Sequence, residues 1–171
     1  MVVWYIGLSR AGKTTLSRQL YDKLKPSTPN LVLLDGDAIR AVFQDDTDHS
    51  VPGRAENARR ISQLTKLLSD QGIHVIAAVL SIFPEWQRWN RKNITDYCQI
   101  YVRASMDALM ARDTNGLYRG AREGRIENVV GMDIPFPEPV ESDLVIENSV
   151  IKDDFSDVLE QVMMLPVIRR L

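Results

Sequence analysis

At 171 residues, 44% hydrophobic and 26% charged with a formal charge of −2, the chain has the make-up of one globular domain, expected to span residues 1–171. That charge balance excludes the basic excess of a nucleic-acid binder, and no apolar run approaches the roughly 18 residues of a membrane span. Cys98 is the single cysteine, which excludes an internal disulfide and reads as a small core residue in a reducing, cytoplasmic setting.

In chain order, residues 2–7 read as a buried strand that leaves no room for a signal peptide. A helix is expected over 13–25, closed by Pro26, then a strand over 31–35; a cap on a short helix over 38–43 is the plainer alternative to a catalytic role for Asp37. Residues 55–70 carry Ile61, Leu64 and Leu68 on one helical face and stop before Gly72. A strand over 73–80 follows, with His74 in its buried pattern, and a helix over 85–96 carries Trp86 and Trp89, which suit packing better than a cavity wall. Then come a strand at 99–102, a helix at 105–113, a strand at 144–146 and a helix at 153–164. This alternation means an α/β fold: a parallel sheet flanked by helices, with ligands at the carboxyl ends of its strands. Residues 114–142 show no regular pattern, and an irregular run that long reads as a lid.

The first strand runs into GLSRAGKTT: Gly7, Leu8, Ser9, Arg10, Ala11, Gly12, Lys13, Thr14 and Thr15. This is a P-loop, G-x-x-x-x-G-K-[ST], in its strand-to-helix context. Glycines turn backbone N–H groups toward phosphates, and the helix N-terminus adds positive potential. Lys13 is suited to the β- and γ-phosphates of ATP and the Thr14 hydroxyl to its Mg2+. Arg10 meets phosphate or solvent; the sequence leaves both open. A GTPase-like switch is excluded, since no N-K-x-D segment follows a later strand and the strand over 73–80 ends in Ser81 rather than an acid.

The acids stand instead at the second strand, in LLDGDAIR. Asp35 and Asp37 suit a division of labour in phosphoryl transfer, one organising magnesium and one taking a hydroxyl proton. Arg40, then Arg54, Asn57 and Arg60 in GRAENARR, offer donors to an anionic acceptor.

Taken together, GLSRAGKTT, DGDAIR, the R-x-E-N-x-R-R of residues 54–60, Ser81 with Phe83, and RDTNGLYRGAREGRIENVVGMDIPFPEP resemble the adenylyl-sulfate (APS) kinase family over nearly the whole chain. The resemblance implies a nucleotide-kinase-like P-loop fold and MgATP-dependent phosphorylation of a ribose 3′-hydroxyl. It makes Asp35 the magnesium-side acid and Asp37 the partner of the acceptor hydroxyl. Arg40, Arg54, Asn57, Phe83 and Leu117 fall at acceptor positions, Arg112 over the ATP adenine, and residues 115–131 in the lid. Ser81 matches a serine proposed as a phosphorylated intermediate; direct in-line transfer needs no covalent step and makes it a contact residue instead. The resemblance implies ATP and a small nucleotide as the partners; relatives are often dimers, which makes a homodimer possible, and the sequence itself does not give the oligomeric state.

The chain also departs from the family. Members commonly sandwich the acceptor adenine between two phenylalanines, and those positions are His49 and Val129. The arginine of the serine–proline–phenylalanine–arginine run is Pro84, and the lid lysine is Asn115. A stacked base is worth about 1–3 kcal/mol, so the double loss weakens an adenine site by about tenfold or more. This favours cytidine diphosphoramidate, the acceptor of related kinases in bacterial capsule synthesis, over APS itself. A non-catalytic nucleotide-sensing module is the third reading, opposed by the presence of Lys13, Thr14, Asp35 and Asp37.

Overall fold

The computed structural model describes residues 1–44, 47–150, 152 and 154–171. Five strands, β1 (Val2–Ile6), β2 (Leu31–Asp35), β3 (His74–Val79), β4 (Tyr97–Arg103) and β5 (Leu144–Glu147), form one parallel sheet in the order β2-β3-β1-β4-β5. The helices are α1 (Lys13–Leu24), α2 (Gly36–Val42), α3 (Val51–Asp70), α4 (Pro84–Asn93), α5 (Met106–Ala111), α6 (Leu117–Arg122) and α7 (Ser156–Met163).

Strand β1 is buried along its whole length because helices cover both of its faces. Val3 and Tyr5 join Leu16 and Leu20 of α1 and Val158 and Val162 of α7 in one core cluster. Val2, Trp4 and Ile6 meet Ile39 of α2 and Ile61 of α3 in another. Ile6 pairs with both Val79 and Tyr101, and Asp35 with Ala78, so four strands finish nearly level. The loops that leave them gather along one edge of the sheet, where the site is built.

The expected elements are present, with shifted ends. The helix expected over 55–70 begins at Val51, because Ser50 caps it by accepting from Gly53 N and a proline occupies its first turn. Arg54 and Asn57 therefore sit in its opening turns. Asp37 does not cap the short helix: α2 begins at Gly36, and the Asp35 side chain caps it by accepting from Asp37 N. The last helix starts at Ser156, and Asp153, its expected first residue, lies outside the described residues. The run 114–142 is not structureless. Asp113 accepts from Leu117 N at 2.8 Å and Arg119 N at 3.0 Å, starting α6 inside it.

Candidate active site

The P-loop leaves β1 between β3 and β4. Gly7 has φ 149°, and a Cβ there would lie 2.4 Å from Val102 O, so the loop passes β4 at a distance open to glycine alone. Ala11 N donates to Leu8 O at 3.2 Å, and the Tyr118 hydroxyl of α6 donates to Ser9 O at 2.8 Å. Arg10 adopts φ 63°, a left-handed conformation uncommon for a residue with a side chain, on the wall of a cavity of about 770 Å³. Its charge helps hold the Asp113 carboxyl low: burial raises that group, and the backbone N–H groups of α6 together with Arg10 more than reverse the rise.

Asn148, just past β5, anchors the loop from below. Its Nδ2 donates to Ala11 O at 2.7 Å, and a Cβ on Gly12 would sit 2.5 Å from that nitrogen. Lys13 Nζ donates to Leu8 O at 2.8 Å. Burial pushes its ammonium down to about 8, and the Asp37 and Asp35 carboxylates offset only part of that effect.

Thr14 Oγ1 donates to Asp35 Oδ2 at 3.0 Å, and Asp35 Oδ1 accepts from Asp37 N at 3.0 Å. Thr14 and Asp35 thus present two adjacent hard oxygens, the donor chemistry magnesium takes when phosphates and water complete its shell. Asp37 lines the same wall.

Beyond the acids, Arg40 is 8% exposed and its Nη1 donates to Thr47 O, Thr47 Oγ1 and Asp48 O at 2.6, 2.7 and 2.9 Å, while its Nε has no partner. Arg54 donates from Nε to His49 O and from Nη2 to Asn128 O, both at 2.8 Å. His49, Arg54, Asn57 and Val129 all reach the cavity. Burial, then the charges of Arg40 and Arg54, push His49 below its ordinary value against Asp37 and Asp48. The ring is neutral at neutral pH, with one nitrogen donating and one accepting.

At the other end, Arg112 donates to Asn148 O at 2.7 Å and Val150 O at 3.0 Å. With Thr15, Asn115 and Leu117 it lines the cavity, as do Lys152 and Phe155. Six cationic side chains (Arg10, Lys13, Arg40, Arg54, Arg112, Lys152) face three acidic ones (Asp35, Asp37, Glu127) among the described lining residues. A chain of net negative charge has concentrated cations where a polyanion would sit.

The expected residues that do not reach the cavity are Gly7, Leu8 and Ala11, which act through loop backbone, Arg60, which pairs with Glu56 at 3.0 Å and lies over the Phe43 ring, and Ser81 and Phe83. Ser81 is 4% exposed and its Oγ accepts from Gln87 Nε2 at 3.4 Å. Ser81 therefore does not line the cavity: β3 ends at Val79, and the chain then turns inward as Ile82 and Phe83 pack with Val130 and Ile134. Trp86 and Trp89 pack edge to face at 5.5 Å, off the cavity. Cys98 is buried, which pushes its thiol up to about 12. The Met1 ammonium donates to His74 Nδ1 at 2.9 Å, and His74 does not line the cavity. Sequence reasoning missed Asn148, Lys152, Phe155 and Asn128; of these, Asn148 carried a readable signal, since it directly follows a strand end.

A family model described as Adenylylsulphate kinase matches residues 1–147. The chain is 42% identical over 148 residues to the cytidine diphosphoramidate kinase of Campylobacter jejuni, covering 86% of each protein. It is 36% identical over 162 residues to the adenylyl-sulfate kinase of Oceanobacillus iheyensis, covering 92% of this chain and 81% of that one. Among solved structures, the Mycobacterium tuberculosis APS kinase in complex with AMPPNP and APS is similar with a TM-score of 0.83 and 29% identity, over 95% of this chain and 94% of that one. The chain belongs to the adenylylsulphate kinase family and is a kinase.

Proposed function

We propose that the chain transfers the γ-phosphoryl group of MgATP to the ribose 3′-hydroxyl of a nucleotide with a modified 5′-phosphate, and that this acceptor is cytidine diphosphoramidate. One observation carries the acceptor: His49 and Val129 line the cavity near Arg54, and among the described lining residues Phe155 is the single phenylalanine, tyrosine or tryptophan. Phe155 follows the segment that Arg112 holds, at the opposite end. A neutral His49 offers a donor and an acceptor to a base edge, which suits a small ring with exocyclic polar groups. The 42% identity to a cytidine diphosphoramidate kinase supports the same reading.

In the proposed reaction Asp37 takes the proton of the 3′-hydroxyl, whose oxygen bonds to the γ-phosphorus as the bond to the ADP oxygen breaks. Lys13 holds the charge that spreads over the phosphoryl oxygens. Thr14 and Asp35 would hold magnesium, which would supply positive charge to the triphosphate when bound. Arg40 and Arg54 hold the acceptor phosphates, Arg112 covers the ATP base, and residues 115–131 exclude water as a lid.

The second reading, APS as acceptor, is favoured by the fold similarity to an APS kinase in complex with APS. A competition assay at saturating MgATP decides between them by kcat/KM. Cytidine diphosphoramidate is expected to win; an advantage of about tenfold or more for APS would overturn the acceptor assignment.

A further inference from the structure

We propose that Asp133 is a positioning residue for the acceptor end, fixing the Val129 wall directly and the His49 backbone through Asn128 and Arg54. The substrate consequence rests on the functional reading above; the geometry stands apart from it.

Asp133 is exposed and does not line the cavity. Its Oδ1 accepts from Val129 N and its Oδ2 from Asn128 N, each at 2.6 Å. Two consecutive N–H groups can aim at one carboxylate because Asn128 adopts φ 63°, the left-handed conformation that asparagine tolerates better than most residues. The turn closes behind them, with Gly131 N donating to Ile134 O at 2.8 Å and Ile134 N to Val129 O at 3.2 Å. Held this way, Val129 is 3% exposed, and it lines the cavity.

The same twist aims the Asn128 carbonyl at Arg54 Nη2, and Arg54 Nε reaches back to His49 O. His49, Arg54, Asn128 and Asp133 thus form one hydrogen-bonded relay between the two segments that replace the aromatic faces. Gly53 keeps the first segment close, since a Cβ there would lie 2.4 Å from Asp48 O. Without the Asp133 carboxylate the Asn128 and Val129 N–H groups lose the acceptor that holds the left-handed turn. Its carbonyl swings, Arg54 loses a partner, and both walls shift while the P-loop keeps its anchors on Val102 and Asn148. An amide at 133 has one accepting oxygen instead of two and must turn N–H toward a backbone N–H.

Two measurements test this on Asp133→Ala and the milder Asp133→Asn, which keeps the test readable where the alanine variant does not fold. Hydrogen exchange read by NMR on the free protein is expected to show the Asn128 and Val129 amides protected in the wild type. They should open about tenfold or more faster in Asp133→Ala, with β1 amides unchanged. Kinetics with cytidine diphosphoramidate and with APS are expected to show the acceptor KM rising about tenfold or more, less in Asp133→Asn, with the MgATP KM within about twofold. A merely structural role lowers active enzyme and kcat with both KM values unmoved. Unchanged exchange at Asn128 and Val129, or equal rises in both KM values, would overturn the proposal. If the wild type uses neither acceptor, the functional reading falls, and the exchange measurement still decides the relay.

Discussion

Lys13 is expected to make ATP binding depend on pH between pH 7 and pH 9. In the free protein burial pushes this ammonium down to about 8. Triphosphate bound beside it adds negative charge, which favours the protonated form and lifts the value again. The ligand therefore prefers protonated Lys13, and binding weakens as pH rises through about 8. From pH 7 to pH 9 the protonated fraction of free Lys13 falls from about nine-tenths to about one-tenth, so the dissociation constant of a magnesium-bound, non-hydrolysable ATP analogue should rise about tenfold, or ~1.4 kcal/mol. Calorimetry in two buffers of different ionisation enthalpy should detect uptake of about 0.9 proton per nucleotide at pH 9 and about 0.1 at pH 7. His49 lies below its ordinary value and stays neutral across this window, so it adds nothing. Lys13→Ala should bind more weakly and lose the pH dependence. A flat wild-type profile between pH 7 and pH 9, or the same slope in Lys13→Ala, would refute the assignment.

Three further outcomes are expected. Asp35→Asn should raise the magnesium needed for half-maximal rate about tenfold, whereas Asp37→Asn should keep that requirement and lose about 10²-fold or more in kcat with a changed pH–rate profile; identical defects in both would refute the division of labour. Asn148→Ala leaves the Ala11 carbonyl unpaired beneath the loop and should cost about 1–3 kcal/mol, read from the urea midpoint, while raising the MgATP KM; an unchanged midpoint would mean the anchor is not needed. His49→Phe should shift kcat/KM toward APS by about tenfold, measured in the same competition assay, while Val129→Phe also enlarges a core-packed side chain and should lose about 1–3 kcal/mol by thermal melting; no shift in His49→Phe would count against the base-pocket argument.

Most of the fold was legible because its strands and longer helices carried their own periods, α6 being the exception, and the P-loop because its residue spacing and its local structure coincide within one short stretch. Asp35 was legible as an acid at a strand end. Its second task, capping α2, was not, because Asp37 is an equally good cap by residue type and backbone geometry alone separates them. Ser81 shows the opposite case. Its position after β3 marks it as a site residue, yet the apolar Ile82 and Phe83 beside it draw the chain into a cluster with Val130 and Ile134, some fifty residues on. No local pattern announces such a long-range pull. Asp133 was invisible for the same reason, since its value lies in two backbone N–H groups whose direction depends on the φ of Asn128.

The two ends of the cavity rest on different kinds of support, and this bears on how an acceptor preference changes without loss of chemistry. The phosphate end is tied to strand ends: Gly7 against the Val102 carbonyl of β4, Thr14 against Asp35 of β2, and Ala11 against Asn148 just past β5. A change at any of these reaches the sheet, where close packing transmits it. The acceptor end is held by hydrogen bonds between the start of α3, with His49 just before it, and the turn of residues 128–133. Residue 49 can therefore take a new side chain, and residue 129 one that fits its core packing, so the base they meet can change while Lys13 and Asp35 stay where the sheet holds them. Substitutions at the acceptor end should for that reason act on the acceptor KM and leave nucleotide binding alone, whereas substitutions at Asn148 or Gly12 should act on both.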